Sequence, residues 1–137
     1  MIRKEDHRNN RSIKNEAGRQ RRERVLVGAA LSRFGYRYWE CVWIMNPYRT
    51  TRHGEMIGGS QWIAYIVLGP SRKLFAIEFY PKWGKHNPHK YQLAWLEEKK
   101  RILLERGVNT IVLRRSESSQ DYYARIYMWL HRAKGAR

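Results

Sequence analysis

Residues 61–80 have the sequence QWIAYIVLGPSRKLFAIEFY, and this stretch decides the fold. Two apolar runs, 61–68 and 73–80, are rich in β-branched and aromatic residues and are separated by the tetrapeptide GPSR at 69–72. Glycine and proline supply the backbone angles that a chain reversal requires. The sequence therefore predicts a β-hairpin, with two adjacent antiparallel strands.

The chain before this hairpin predicts a helix, a strand and a loop. Residues 20–34 carry apolar side chains at helical spacing, and Gly35 is a stop signal. Residues 36–45 are aromatic and β-branched, which is typical of a strand. Residues 46–60 contain Pro47 and several glycines, so they are predicted to form a long loop of the kind that is often functional. The side chains expected to face inward from the helix are Val25, Leu26, Ala29, Ala30 and Phe34.

The chain after the hairpin predicts a helix, a strand and a second helix. Asn87 is expected to cap a helix, and Pro88 to be its first residue. The helical spacing continues as far as the stop signal Gly107. Residues 110–114 are typical of a short buried strand, and residues 120–131 of a closing helix. The side chains expected to face inward from these two helices are Tyr91, Trp95, Ile102, Leu103, Tyr123, Ile126, Tyr127 and Leu130.

The order of these elements predicts the fold class. A hairpin followed by a helical crossover to another strand implies a mixed sheet, because the crossover helix must cover one face of the sheet. We therefore predict an α/β protein (α+β, mixed sheet) with a small four-stranded mixed sheet flanked by helices. Residues 20–137 are predicted to form one domain, preceded by a basic flexible arm at residues 1–19.

The charge of the chain indicates a polyanionic partner. The 137 residues include 28 Lys plus Arg against 12 Asp plus Glu, which gives a formal net charge of +16. Hydrophobic residues make up 42%, too many for a disordered polycation. Residues 1–22 alone contain eight Lys or Arg and three acids, and such a segment orders on phosphates as counterions are released. The alternative interpretation of this arm is a flexible solubilising tail.

The cysteine content and the hydropathy exclude several protein classes. Cys41 is the one cysteine, which excludes a disulfide framework and a multi-cysteine zinc cluster. No apolar run reaches the roughly 18 residues that a membrane span needs. The first residues are charged and lead into no hydrophobic stretch. We expect a soluble, cytoplasmic protein without a cleaved leader and without a membrane partner.

Glu78 is the acid that the pattern singles out. It lies late in an apolar strand, on the same predicted face as Leu74, Ala76 and Tyr80. A carboxylate buried without a partner costs several kcal/mol. Glu78 is therefore expected to pair with one of the many arginines, to be solvated at the strand end, or to bind a cation.

A set of motifs between residues 58 and 114 resembles a known nuclease family. The motifs are GGSQ at 58–61, FAIEFYP at 75–81, GKHNP at 84–88, Gln92 with Trp95 and Leu96, and Gly107 with IVL at 111–113. Together they resemble the VRR-NUC branch of the PD-(D/E)xK nuclease superfamily. The resemblance implies a restriction-endonuclease-like core and phosphodiester hydrolysis, in which an Asp and a Glu hold Mg²⁺ and a Lys orients or activates the water.

The resemblance assigns roles to few residues and leaves two roles unfilled. Glu78 matches the family's Glu, and Gln92 matches the Gln of its following helix. Gln61, or Tyr65 if the alignment slips, stands at the Asp position, and Tyr80 stands at the Lys position. Two of three catalytic positions are therefore missing, which leaves Glu78 as a weak metal ligand.

Other residues are candidates to rebuild such a site. Glu23 lies where many superfamily members carry an additional Glu, and Lys82 lies two residues beyond Tyr80. His86 and His89 permit a zinc interpretation, but two histidines without nearby cysteines are a weak signal, and contact with phosphate is favoured.

These observations leave three functions open. The first is a nucleic-acid-binding protein on a nuclease-like scaffold with a lost or rebuilt catalytic site, of phage or mobile-element type. The second is an active, metal-dependent deoxyribonuclease acting on branched or duplex DNA. The third is a basic structural or regulatory subunit of a nucleoprotein assembly, with a homodimer as one form. DNA is favoured over RNA, and no cofactor is expected unless an active site holds Mg²⁺. The residues predicted to bind nucleic acid are Arg19, Arg21, Arg22, Arg49, Arg52, Lys82, Lys85, His86, Lys90, Arg114 and Arg115.

Overall fold

The computed structural model describes residues 21–45, 49–50, 52–54, 56–57, 59, 61–81 and 89–135. Within them the chain forms helices and strands close to the predicted ones, and the predicted arm at 1–19 lies outside them. In chain order the elements are α1 (Arg21–Phe34), β1 (Arg37–Ile44), β2 (Arg49–Thr50), β3 (Met56–Ile57), β4 (Gln61–Leu68), β5 (Leu74–Phe79), α2 (His89–Glu105), β6 (Asn109–Leu113) and α3 (Ser119–Gly135).

A four-stranded mixed sheet forms the centre of the fold, in the order β1-β4-β5-β6. β1 and β4 pair antiparallel, as do β4 and β5, whereas β5 and β6 pair parallel. The parallel pair requires the crossover through α2, because two parallel strands cannot be joined by a tight turn. The prediction of an α/β protein with a four-stranded mixed sheet flanked by helices is confirmed.

The predicted hairpin has a tight turn at its end. The Gly69 N–H donates a hydrogen bond to the Lys73 carbonyl oxygen over 2.8 Å, and Pro70–Arg72 form a single 3₁₀ turn. Ser71 and Arg72 have positive φ angles of 61° and 59°. This turn fixes the register of β4 on β5, so that Leu68 faces Leu74 and Tyr65 faces Ile77.

The segment predicted to be a plain loop contains a second, small sheet. Arg49 pairs with Ile57 and Thr50 with Met56 in an antiparallel arrangement. The prediction of a loop over residues 46–60 is therefore wrong for these four positions. The reason is that two strands of two residues each are too short to produce a pattern of alternating side chains.

The core lies on both faces of the main sheet. On one face, α1 and α3 pack against alternate residues of β5, Phe75, Ile77 and Phe79. On the other face, Leu103 of α2 packs with Ala76 of β5 and forms a second cluster. Residues 75 to 79 of β5 are accordingly buried at every position, which is typical of a strand covered on both sides.

The helices bury faces that differ from the predicted ones. α1 buries Val27, Ala30 and Leu31 and leaves Val25 exposed, and Trp95 of α2 and Tyr127 of α3 are also exposed. These three side chains and the exposed Ala29 of α1 were predicted to face inward, and these predictions are wrong. Apolar residues occur on two adjacent stripes of each helix, so spacing alone does not decide which stripe meets the sheet. None of the helices that the structure describes combines the length and the apolar run needed to cross a bilayer.

Candidate functional site

Glu78 lies on the face of the sheet that α2 covers. Its neighbours Ile77 and Phe79 point into the core formed with α1 and α3, whereas Ala76 packs against Leu103 of α2. Side chains alternate along a strand, so Glu78 shares the side of Ala76. Only 2% of the Glu78 surface is exposed. The carboxylate is therefore buried rather than solvated at the strand end.

Two partners of the buried carboxylate lie on neighbouring elements. The Ala64 N–H donates a hydrogen bond to Glu78 Oε1 over 3.0 Å, and Lys99 Nζ lies 3.5 Å from the same oxygen. Lys99 belongs to α2 and is 6% exposed. Its ammonium also lies 4.9 Å from the centre of the Trp62 ring, a cation–π contact. The negative charge of Glu78 is thus compensated inside the protein.

Lys99 is the partner that sequence reasoning missed. The run Glu97–Arg101 is typical of a solvated helix face, and this interpretation holds for Lys100 and Arg101, which pair with glutamates of the same helix. It is wrong for Lys99. The sequence did contain a signal that Lys99 is buried. Leu96, Lys99 and Leu103 are spaced i, i+3, i+7, and they form one buried stripe of the helix.

The two residues proposed for the Asp position have other surroundings. Gln61 is the first residue of β4 and faces Ile44 of β1. Tyr65 is fully buried, and its hydroxyl lies 3.1 Å from Glu40 Oε1 and contacts the Arg24 carbonyl oxygen of α1. Burial raises the pKa of Tyr65, and the Glu40 carboxylate raises it further. The β4 residue that meets Glu78 is Ala64, whose side chain is a methyl group.

Tyr80, at the position of the family's Lys, joins the ends of two strands. Its N–H donates to the Leu113 carbonyl oxygen over 2.8 Å, which continues the pairing of β5 with β6. The Arg114 guanidinium lies over its ring, 5.2 Å from the ring centre. Tyr80 therefore presents an aromatic face to an arginine where the resemblance requires an ammonium.

Glu23 forms an ion pair with Arg115. It belongs to the first turn of α1 and is 7% exposed, and Arg115 Nε lies 2.8 Å from its Oε1. The second oxygen, Oε2, is buried and lacks a hydrogen-bond partner among the described residues. Burial raises the pKa of the nearby Tyr122, and the charge of Glu23 contributes to this increase. Glu23 is thus held on the α1 and α3 side of the sheet, and Glu78 on the α2 side.

The Glu23–Arg115 pair brings predicted phosphate-binding residues to one end of the sheet. It places the amino terminus of α1, with Arg21 and Arg22, beside the carboxyl end of β6, where Arg114 and Arg115 lie. Arg125 of α3 supports this end by donating to the Arg114 carbonyl oxygen over 2.9 Å. We call the four residues Arg21, Arg22, Arg114 and Arg115 the arginine end.

Several predicted site residues fall elsewhere. Arg52 is exposed between β2 and β3. Arg19, Lys82, Lys85 and His86 lie outside the described residues, as do the side chains of Arg49, Lys90 and Gln92.

The described donors do not fit a magnesium ion. In the part of the chain that the structure describes, no three His, Cys, Asp or Glu residues form a group that could hold a metal. Mg²⁺ needs oxygen ligands in an octahedral arrangement and usually takes one or two carboxylates. Glu78 offers one carboxylate, and the Lys99 ammonium is already beside it.

Comparisons with known proteins indicate neither a family nor a function for this chain. No family model, no curated protein and no solved structure gave a match to this chain. Its function is therefore argued from the geometry above.

Proposed function

We propose that this protein binds nucleic acid on a nuclease-like scaffold that has lost hydrolysis. The observation that carries the proposal is the arginine end, where Arg21 and Arg22 of α1 lie beside Arg114 and Arg115 after β6. Phosphates are attracted to such a cluster, and their binding releases counterions. The amino terminus of α1 adds the positive end of a helix dipole at the same place.

The order of the elements supports the scaffold. A helix, three antiparallel strands, a crossover helix, a parallel strand and a final helix follow one another around one mixed sheet. The resemblance implies the same order for a restriction-endonuclease-like core. In that family the carboxyl end of the central strands faces the nucleic-acid backbone, and this is the end at which the four arginines lie.

The surroundings of Glu78 support the loss of hydrolysis. The Lys99 ammonium lies 3.5 Å from the Glu78 carboxylate, whereas a Mg²⁺ ion bound by Glu78 would need further oxygen ligands and would be repelled by this cation. The residue that meets Glu78 from β4 is Ala64, which has no oxygen to offer from its side chain. The buried pair instead connects β5 to α2, which is a structural role for Glu78.

Salt-dependent binding tests the nucleic-acid proposal. The affinity for a short DNA duplex is measured by fluorescence anisotropy over a series of salt concentrations, for the full chain and for an Arg22→Ala/Arg114→Ala variant. Each phosphate contact removed should lower the slope of log affinity against log salt by about 0.9, so the double variant should lose about 2. Lys73→Ala/Lys100→Ala removes the same charge away from the arginine end and should change the slope little.

The same titration with RNA of the same sequence compares the two polyanions, and DNA is expected to bind more tightly. A wild-type chain whose affinity does not fall with salt would overturn the proposal. So would equal slopes for the arginine variant and the lysine variant.

A cleavage assay tests the loss of hydrolysis. Plasmid, branched and single-stranded DNA are incubated with the protein in Mg²⁺ or Mn²⁺, beside Glu78→Ala at equal concentration. We expect no product that depends on Glu78. Cleavage by the wild type that disappears in Glu78→Ala would establish the alternative function, a metal-dependent deoxyribonuclease.

The edge strand β1 favours a second candidate function, that of a subunit in a nucleoprotein assembly or homodimer. β1 lies at the edge of the sheet and exposes Trp39 and Trp43, and Met45, the residue after the strand, is exposed as well. Exposed large apolar side chains beside unpaired backbone groups are typical of an interaction surface. Light scattering during size-exclusion chromatography tests this, because Trp43→Lys should convert an oligomer to a monomer. A wild-type monomer would exclude the homodimer.

A further inference from the structure

An aromatic groove lies at the end of the sheet opposite to the arginine end. It has a volume of about 140 Å³ and lies between the end of α1, the start of β1, the hairpin turn and the second half of α3. We use the name aromatic groove for the space lined by Phe34, Tyr36, Pro70, Tyr123, Tyr127, Leu130 and His131.

Four rings of this groove, those of Phe34, Tyr36, Tyr123 and Tyr127, lie nearly parallel to their stacking partners. Phe34 stacks on Tyr36 with ring centres 5.0 Å apart and 3° between the planes, and on Tyr123 at 4.1 Å and 17°. Tyr123 stacks in turn on Tyr127 at 6.4 Å and 19°. Two helices and the residue before β1 thus contribute to one series of stacked rings. Such a series can take a further flat ring against its open side.

The outer part of the series is open to solvent. Tyr127 is 48% exposed, although its ring stacks on Tyr123 and lies 4.1 Å from the His131 ring, which is tilted by 44°. A core role would bury this ring, and the interior of α3 is already filled by Tyr122 and Ile126, both fully buried. Tyr127 is therefore a surface side chain that contributes an aromatic ring to the groove.

The border of the groove is cationic. The Arg33 guanidinium lies 4.4 Å from the centre of the Tyr123 ring, and Arg72 and Arg132 lie within two residues of the lining residues Pro70 and His131 along the chain. The seven lining residues include no carboxylate. Aromatic faces inside and positive charges around them suit a ligand that combines flat rings with phosphates.

We infer that the aromatic groove binds the unstacked bases of single-stranded nucleic acid. Base stacking on aromatic side chains is independent of sequence because every base has a π face, and duplex bases are already stacked on each other. Aromatic grooves also bind proline-rich peptides, but the cationic border favours the polyanion. The inference rests on the proposed function and deepens it, since it names single strands as a ligand for which the groove selects.

The test uses two substitutions at one position. Tyr127→Leu keeps an apolar side chain and removes the π face, whereas the matched control Tyr127→Phe keeps the ring. Affinities of the full-length variants are measured for a single-stranded oligonucleotide, for the same strand made abasic, and for the duplex. Circular dichroism melting confirms that each variant is folded.

We expect Tyr127→Leu to lose about 5- to 100-fold in affinity for the single strand, and Tyr127→Phe and duplex binding to stay near wild type. The abasic strand should bind the wild type as weakly as the single strand binds Tyr127→Leu. A wild type that binds duplex, single and abasic strands equally, or a Tyr127→Leu variant that keeps full affinity for the single strand, overturns the inference and leaves the proposed function standing.

Two further outcomes separate the remaining possibilities. A wild type that binds neither duplex nor single strand contradicts the proposed function and this inference together. A labelled polyproline peptide that binds the wild type and not Tyr127→Leu, while single-strand affinity is unchanged, would make the groove a peptide site and overturn the inference.

Discussion

Lys99 Nζ of α2 lies 3.5 Å from Glu78 Oε1 of β5, and both side chains are almost entirely removed from solvent. Two charges in the interior lose their hydration, and their attraction offsets this cost only when the geometry is good. Here the Ala64 N–H and the Trp62 ring add further favourable contacts. The pair therefore connects the crossover helix to the central strand beside the small cluster of Ala76 and Leu103.

Removal of one partner of this pair should be strongly destabilising. Lys99→Met keeps the length of the side chain and removes the cation beside the buried carboxylate. We expect the free energy of unfolding to fall by about 3–5 kcal/mol, measured by urea denaturation. Lys100→Met is the matched control, since Lys100 pairs with Glu97 at the surface, and it should cost well under about 1 kcal/mol.

A double-mutant cycle measures the coupling of the pair. Glu78→Gln/Lys99→Met should be markedly less destabilised than the sum of the two single variants, because neither buried charge is then left alone. Additive effects would show that the two side chains do not stabilise each other. That result would also remove the main support for a structural role of Glu78.

Alkaline pH should destabilise the protein through its buried tyrosines. Burial raises the pKa of Tyr65, Tyr36 and Tyr122. Above the unfolded tyrosine pKa of about 10, the unfolded state has lost protons that the folded state keeps. The free energy of unfolding therefore decreases as pH rises from about 10 toward the raised values.

Tyr65→Phe should make this decrease shallower, because it removes the group whose pKa is raised most. It should also cost about 1–3 kcal/mol at neutral pH, since the hydroxyl contacts Glu40 and the Arg24 carbonyl oxygen. Urea denaturation at several pH values measures both effects. The control Tyr127→Phe removes a half-exposed hydroxyl, and an equal loss of pH dependence in it would contradict the assignment to Tyr65.

The sequence was sufficient to predict the three helices and the four strands of the main sheet in their order, but not the small strands β2 and β3. Two β-rich runs with a Gly-Pro turn, and helix stop signals at Gly35 and Gly107, are local features that tertiary contacts did not override. The helix faces were not predictable in the same way. Val25 and Val27 are equally apolar, and only the position of the sheet decides that Val27 is buried.

The candidate site was likewise predictable only in part. Glu78 was predictable as an acid that needs a partner, because an apolar strand surrounds it. Pairing with an arginine was one of three alternatives expected for it, and the partner is Lys99, which lies 21 residues later on a helix, so no local pattern connects the two. The Glu23–Arg115 pair could not be predicted for the same reason, since it joins the beginning of the domain to the end of β6.

Loss of Arg115 should destabilise the arginine end more than loss of Arg114. Arg115→Ala removes the cation beside the nearly buried Glu23 carboxylate, whose Oε2 already lacks a hydrogen bond among the described residues. Arg115 is itself partly exposed, so we expect a modest cost of about 1–2 kcal/mol in thermal or urea denaturation. Arg114→Ala loses a contact with the Tyr80 ring and should cost less. A reversed order would show that Glu23 does not depend on Arg115.

Gly69 is required by the packing of the hairpin turn rather than by its backbone angle. Its φ of −89° is open to any residue, but a Cβ at this position would lie 2.6 Å and 2.9 Å from two carbons of the Phe75 ring. That ring is buried and contacts Trp129, so it cannot move aside without cost. Gly69→Ala should therefore lower the free energy of unfolding by about 1–3 kcal/mol.

The cost of Gly69→Ala should disappear when the ring is smaller. In a Phe75→Leu background the added methyl group has room, so Gly69→Ala should be neutral or stabilising there, measured by urea denaturation of all four combinations. Gly35→Ala provides the contrast, because Gly35 has a φ of +74° and open space around it. Its cost of about 1 kcal/mol comes from the backbone and should be the same in both backgrounds. A Gly69→Ala cost that persists with Leu at position 75 would place the requirement in the backbone of the turn instead.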